Sequence, residues 1–253
     1  MIPETRREEI LNLLATNKYM SVKQLASSIY VSEPTIRRDL MYLEKEGSIK
    51  RERGGASYVD PSFVKWPFVF RNKSNLKEKL YIGQLASTLV NDGDNIFIDS
   101  SSTGLCFAKS LHQKQNLNVL TYGFQTAQTL SENESTSIEC VCGAFHAPHS
   151  SIYGKEACDF VSRHYAQSCF ISCCGLDTLL GLTDNSREEV ALKRTFHEHS
   201  KQTVLLLDHT KMNTIFYYQD LKLSEIDIIV TDQPLPKNLD EACYTHDIQV
   251  IYE

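Results

Sequence analysis

The stretch Ser32-Glu33-Pro34-Thr35-Ile36-Arg37-Arg38-Asp39-Leu40 decides how the start of this chain is read. Ser32 is a favourable helix N-cap and Pro34 suits a first helical turn. Ile36, Leu40 and Leu43 then recur at i, i+4 and i+7, the spacing of one buried helix face. At about 100° per residue, Thr35, Arg38 and Lys45 fall roughly opposite that face and Arg37 lies on its flank. Such a helix packs on one side and presents cations and a hydroxyl on the other. Two arginines on a helix are ordinarily a solvated face, so the flanking segments decide the reading.

Upstream, residues 4–16 place acidic residues early and Ile10, Leu11, Leu13 and Leu14 late, which predicts a first helix with charges suited to its dipole. Residues 17–20 break that pattern. Ser21 then caps a second helix with Val22, Leu25, Ala26 and Ile29 on one face, and only Tyr30-Val31 separates it from the opening stretch. Two short amphipathic helices joined so tightly form a helix-turn-helix, whose second helix enters the DNA major groove. Downstream, Gly47 stops the helix and Gly54-Gly55 turns two short extended runs into a hairpin with Lys50, Arg51 and Arg53 near its tip. Such a basic wing neutralises phosphates beside the groove. The candidate DNA contacts are therefore Ser21, Ser32, Glu33, Thr35, Arg37, Arg38 and Lys45, with Lys50, Arg51 and Arg53 on the wing.

The 253 residues are 42% apolar and 23% charged, the profile of a globular protein. No basic patch leads into an apolar run, and no stretch approaches 18 apolar residues, so neither a signal peptide nor a membrane span is expected and a cytoplasmic location is. Net charge is −6, which argues against coating nucleic acid over the whole surface. Residues 1–57 nevertheless carry +2 and the remainder −8, a mildly basic head on an acidic body. Eight cysteines without paired C-x-x-C spacing predict free thiols.

Residues 58–75 read as a linker in which Trp66, Phe68 and Phe70 dock on the second domain or a partner subunit. From residue 76 onward helical and strand patterns alternate. Helices are predicted over 76–90, 103–112, 123–132, 154–164 and 188–199. Short apolar strands are predicted over 95–99, 117–121, 138–142, 169–174, 203–208, 226–231 and 248–251, which makes residues 76–253 an α/β domain with a mainly parallel sheet. Ligands in such sheets lie beyond the carboxyl ends of the strands. There Asp99 leads into Ser100-Ser101-Ser102-Thr103-Gly104, a hydroxyl-rich turn feeding a helix N-terminus, which suits an anion; the plain alternative is a capped helix start. Asp208 leads into His209-Thr210-Lys211, where Lys211 offers a point charge.

The run S-E-P-T-I-R-R-D-L, followed by L-E-K-E-G and R-x-R-G-G-A, resembles the N-terminal domain of the DeoR family of bacterial transcriptional regulators. The resemblance extends over nearly the whole chain. Asp99, Ser100 and Thr103 match a D-S-G-T-T loop in which Ser101 replaces glycine and Ser102 a threonine. Asp208 and Lys211 match D-S-S-K, with His209-Thr210 in place of two serines. Lys79 matches an E-K near the domain start, Thr121-Tyr122-Gly123 stands where the family commonly has T-N-S, and Cys142-Gly143-Ala144 where it commonly has a G-G pair. Gly175-Leu176-Asp177, Gly181-Leu182-Thr183 and Glu189 with Lys193 resemble G-I-D, G-L-T and E-x-x-x-K.

What the resemblance implies is a winged helix-turn-helix domain at 1–57, and at 76–253 an effector-binding and oligomerisation domain similar to sugar-phosphate isomerases. It implies a regulator rather than an enzyme, without cofactor or metal. The regulator so implied is expected to act as a homodimer or homotetramer that represses a carbohydrate operon through double-stranded operator DNA and is released by a phosphorylated sugar. The implied effector set is Lys79, Asp99, Ser100, Ser101, Ser102, Thr103, Tyr122, Gly123, Gly143, Asp177, Glu189 and Lys211. Replacing glycine by Ser101 is expected to alter the turn if that position needs positive φ, and bulkier Tyr122 and His209 to reshape the pocket. Two further readings stay open. One is a redox or metal sensor, with Cys140, Cys142, Cys173 and Cys174 ending neighbouring strands beside His146, His149 and His209. The other is an isomerase-like enzyme with Asp99, Asp177 and Glu189 as bases and Lys211 on phosphate.

Overall fold

The structure, a computed structural model, describes residues 2–45, 48–58 and 67–253. Trp66 and the side chain of Lys45 lie outside the described residues. The chain divides into two compact units, one ending at Arg71 and one beginning at Asn72.

The first unit holds α1 (Pro3–Asn17), β1 (Tyr19–Ser21), α2 (Val22–Ile29), α3 (Glu33–Lys45), β2 (Ile49–Glu52) and β3 (Gly55–Tyr58). Ile10, Leu11 and Leu14 of α1 meet Leu25 and Ile29 of α2 and Ile36, Leu40 and Leu43 of α3 in one buried cluster. Each such side chain removed from water contributes roughly 1.5–3 kcal/mol, and this core fixes how α3 is presented. The wing has three strands, in the order β1-β3-β2, rather than the two expected. Lys18, at φ 63, ends α1, and its carbonyl accepts the Tyr58 N–H at 2.7 Å, which recruits residues 19–21 as a strand where the sequence showed only a broken helix pattern. Phe68–Lys73 forms a helix, α4, inside the stretch read as a linker. Phe70 joins the core of the first unit.

The second unit runs α5 (Leu76–Ser87), β4 (Asn95–Ile98), α6 (Ser102–Ser110), β5 (Asn118–Thr121), α7 (Phe124–Leu130) and β6 (Ser137–Cys140). It continues through β7 (Ala144–His146), β8 (Ser151–Tyr153), α8 (Lys155–Val161), β9 (Ala166–Ile171), β10 (Gly175–Asp177), β11 (Gly181–Asp184) and α9 (Arg187–Glu198). It ends with β12 (Ser200–Leu207), β13 (Tyr218–Gln219), β14 (Ile228–Thr231), α10 (Lys237–Thr245) and β15 (Gln249–Ile251). Seven strands form one parallel sheet in the order β15-β14-β12-β9-β4-β5-β6.

The alternation of side chains along each strand divides its apolar residues between two cores. Phe97, Cys169, Ile171, Leu205 and Leu207 enter one cluster, while Ile96, Ile98, Phe170, Val204 and Leu206 enter the other. Burial on both faces is why these strands read as continuous apolar runs. The chain moves from β4 outward through β5 and β6, then returns to the other flank of β4 as β9 and proceeds outward again. The order reverses between β4 and β9, a topological switch point of the kind beyond whose carboxyl ends ligands bind in α/β sheets. A smaller antiparallel sheet, β10-β11-β13, and the β7–β8 hairpin complete the unit; neither was assigned from the sequence. Among the described residues, no helix is long and apolar enough to cross a membrane.

Candidate functional site

Helix α3 begins as its sequence dictates. The Ser32 carbonyl accepts the Thr35 and Ile36 N–H groups, and the Ser32 and Thr35 hydroxyls meet at 2.9 Å. Ser21 opens α2 in a capping box, its Oγ accepting the Gln24 N–H at 3.2 Å while the Gln24 side chain accepts the Ser21 N–H at 2.9 Å. Four arginines near α3 divide into two kinds. Arg6 and Arg7 of α1 are spent on Asp39, a carboxylate 1% exposed, at 2.5 and 3.1 Å. Arg37 pairs with Glu33 at 3.3 Å on the surface, and Arg38 is exposed without an ion pair among the described residues. On the wing, Arg51 pairs with Glu44 at 3.6 Å, and Lys50 and Arg53 are exposed. The buried Asp39 escaped sequence reasoning, since within R-R-D-L it read as one more surface charge.

The second group of candidates lies at the carboxyl ends of β4 and β9. Asp99, fully buried, accepts the Ser101 N–H at 3.0 Å and the Ser172 N–H at 2.7 Å. Burial raises its pKa, against the opposing effect of Lys193 and these hydrogen bonds. Ser101 caps α6 from φ −72, its Oγ accepting the Gly104 N–H at 2.8 Å, so the replacement of glycine puts no positive φ on this residue. Gly104 is obligatory for a different reason: a Cβ there would lie 2.6 Å from the Asp99 carboxylate. Ser102 and Thr103 occupy the first turn of α6, buried, and the Thr103 hydroxyl has no hydrogen-bond partner among the described residues. Ser100 donates to Glu189 at 3.2 Å, and Tyr153 donates to the same oxygen at 2.8 Å.

Ser172 links this turn to the Lys211 loop. Its Oγ donates to the Leu206 carbonyl and accepts from the Lys211 ammonium at 2.8 Å. Lys211 also lies 3.4 Å from Asp208, which receives Asn75 at 3.3 Å and the Thr210 hydroxyl. Burial on its own raises the Asp208 pKa, but Lys211, Thr210 and Lys79 outweigh it and the net shift is downward. Lys79 is buried and donates to the Ser74 carbonyl at 2.7 Å. Asp99, Ser172, Lys211 and Asp208 thus form one chain of contacts beyond the strand ends, and the Ser100–Glu189–Tyr153 bonds start from the residue next to Asp99. Among them Ser172 gave no sequence signal, being one small residue in an apolar and cysteine-rich run.

Other candidates take other places. The Tyr122 ring turns into the core, edge-on to Phe196 at 5.3 Å, and its phenol pKa is raised by burial and by Asp99 and Glu189. Gly123 donates its N–H to the Thr121 hydroxyl at 3.1 Å. Gly143, at φ +149, brings the backbone so close to the Tyr153 carbonyl that a Cβ would sit 2.4 Å away; it shapes the turn into the β7–β8 hairpin. Asp177 holds the β10–β11 turn, accepting the Leu179 and Leu180 N–H groups at 2.9 and 3.0 Å. The His209 imidazole lies 2.6 Å from Asp232. Behind the site, Lys193 is buried between Asp184 at 2.6 Å and Asp220 at 3.6 Å. Burial alone lowers the Lys193 pKa, but these carboxylates raise it well above its ordinary value. Neither Asp184 nor Asp220 was singled out in the sequence.

The expected neighbourhood of cysteines does not form. Cys140 ends β6, Cys142 follows it, and Cys173 and Cys174 follow β9, but β5 and β4 lie between those strands. Cys173 is buried, and burial pushes its thiol pKa upward. Among the described residues no group of three or more His, Cys, Asp or Glu side chains is placed to hold a metal.

Comparison with known proteins matches the two units separately. Residues 6–62 fit the DeoR-like helix-turn-helix domain and residues 74–233 the DeoR C terminal sensor domain. The HTH-type transcriptional regulator GolR of Listeria innocua is 35% identical over 94% of each chain. The HTH-type transcriptional repressor GlcR of Bacillus subtilis is 31% identical, over 92% of this chain and 90% of that one. The glycerol-3-phosphate regulon repressor of Escherichia coli is 29% identical over 97% of each. Among solved structures, ribose 5-phosphate isomerase A of Methanocaldococcus jannaschii aligns over 55% of each chain with 16% identity and a TM-score of 0.41. With both domain models matched in order and relatives aligned nearly end to end, the chain belongs to the DeoR family of transcriptional regulators.

Proposed function

We propose that this regulator is a cytoplasmic repressor that binds double-stranded operator DNA through α3 and the wing, and that a phosphorylated sugar or polyol bound beyond β4 and β9 releases it. The observation that carries the effector assignment is the α6 N-terminus. A buried hydroxyl without a partner among the described residues, Thr103, stands there with Ser100 and Ser102, a few residues after Asp99, which Ser172 links to Lys211. A helix N-terminus, hydroxyls and an ammonium suit a phosphate, while Asp99 and Glu189 suit the hydroxyls of a carbohydrate. Asp177 and Gly143 are left to shaping turns. The glycerol-3-phosphate regulon repressor among the relatives supports the same ligand class.

On the DNA side, Arg38 and Thr35 read base edges, Arg37 and Ser32 steady a phosphate, and Lys50, Arg51 and Arg53 neutralise the flanking backbone. Paired half-sites would be met by a homodimer or homotetramer. Release requires that the effector bind the DNA-free arrangement more tightly than the bound one, since only differential affinity shifts the equilibrium. Calorimetric titration with glycerol 3-phosphate, glucose 6-phosphate and fructose 1-phosphate tests the site. One of these should bind wild type and bind Lys211→Ala about tenfold more weakly, in line with the loss of a charge-assisted contact. Equal affinity of the two proteins would count against it.

A further inference from the structure

Helix α2 ends at Tyr30, which sits at φ 58 and ψ 44, the left-handed region that crowds every side chain except those of glycine and, to a lesser degree, asparagine and aspartate. Its N–H closes the helix on the Ala26 carbonyl, and the Val31 N–H reaches that carbonyl at 3.1 Å. A glycine would make this connection without strain. Those two backbone bonds would form equally well with glycine, and the Tyr30 side chain adds no polar or ring contact to them among the described residues. Tyr30 is 93% exposed, and its hydroxyl bonds no other described residue. The chain therefore holds a bulky aromatic residue in a disfavoured backbone conformation and leaves its ring in water. Residues kept in such conformations concentrate at binding sites, where the side chain serves a partner.

The position names the partner. Tyr30 stands two residues ahead of Ser32, in the connection that runs beside the DNA backbone when the following helix lies in the groove. Next to it in the chain Ser27, Ser28 and Ser32 are exposed, α2 carries no acidic residue that would repel a phosphate, and the exposed Glu33 is paired with Arg37. A tyrosine hydroxyl is a regular donor to phosphate oxygens, and its ring can lie against deoxyribose. We propose that Tyr30 is a contact to the phosphodiester backbone of DNA, independent of base sequence, which extends the interface of α3 across the turn. This rests on the reading of the first unit as the DNA-binding element.

The test compares full-length wild type, Tyr30→Gly, Tyr30→Phe and Arg51→Ala. Affinity for a fluorescein-labelled duplex of mixed sequence is measured by anisotropy at low salt, and melting by circular dichroism. Tyr30→Gly should melt about 4 °C higher, because the strain is gone. It should nonetheless bind the duplex about tenfold more weakly, and Tyr30→Phe should lose part of the same affinity. A residue that only shaped the turn would show the first effect without the second. Weaker binding by Arg51→Ala together with unchanged binding by Tyr30→Gly would overturn the Tyr30 contact alone. Failure of the wild type to bind, or unchanged binding by Arg51→Ala, would overturn the DNA-contact reading itself, and the Tyr30 contact with it.

Discussion

The Asp99 carboxylate receives the Ser172 amide at 2.7 Å, one residue beyond β4 on one side and one residue beyond β9 on the other. The bond spans the point where the strand order reverses, and the second Asp99 oxygen holds the Ser101 amide that starts α6. One carboxylate thus sets the spacing of the two loops that the effector would bridge. Exchanging the carboxylate for a carboxamide leaves a side-chain NH₂ facing one of two backbone N–H donors. We expect Asp99→Asn to cost about 2 kcal/mol in urea unfolding, the penalty of a buried donor left unpaired. An unchanged midpoint would show that the loops are spaced by something else.

Asp39 is the corresponding anchor of the first unit. With Arg6 and Arg7 drawn onto one buried carboxylate, Asp39→Ala takes that carboxylate from two largely buried cations, of which Arg7 also stacks on the Tyr42 ring. The expected loss is about 3 kcal/mol. It would appear as a lower melting midpoint and as weaker DNA binding, with α3 no longer held on α1. Retention of both properties would reduce these ion pairs to decoration.

Asp220 makes stability depend on pH. Burial raises its carboxyl from 3.8 to about 7, against the attraction of Lys193. Between those values the folded chain keeps a proton that the unfolded chain has released. The contribution is therefore fullest below pH 3.8 and is lost as pH rises through 7. Full occupancy of that proton corresponds to about 1.4 kcal/mol per pH unit. Wild type should thus lose stability between about pH 5 and 7 more steeply than Asp220→Asn, by up to about 1 kcal/mol per unit. Parallel profiles of the two proteins would rule out Asp220 as the source.

Arg38 and Arg51 should fail in different ways. On duplexes selected by the wild type from a random library, Arg38→Ala should relax the preferred sequence as well as lower affinity by about 1–3 kcal/mol. Arg51→Ala should weaken binding to all sequences alike and reduce the salt slope by about 1. An unchanged sequence preference in Arg38→Ala would remove α3 from the groove.

The helices of the first unit were legible because they carry local signals: a 3.6-residue apolar period in each, a capping serine ahead of α2 and a short connection between α2 and α3. The parallel strands were legible because burial on both faces leaves unbroken apolar runs. What sequence reasoning missed depends on distant pairing. Residues 19–21 became a strand only because Tyr58 returns to Lys18, and β10, β11 and β13 are too short to show a period of two. Ser172, Asp184 and Asp220 acquire partners more than eight residues away, and no local pattern marks them. The strand order had the same effect on the cysteines, which share strand-end positions in the sequence yet have two strands between them in the sheet.

The most direct measurement is release from DNA. Wild type and Lys211→Ala, each bound to a selected duplex, are titrated with glycerol 3-phosphate, glucose 6-phosphate and fructose 1-phosphate while anisotropy reports the bound fraction. One phosphorylated compound should release the wild type, with the Lys211→Ala midpoint displaced about tenfold upward and the unphosphorylated parent inert. Release at the same midpoint for both proteins, or by none of the three phosphorylated compounds, would contradict the assignment of the β4 and β9 carboxyl ends as the effector site.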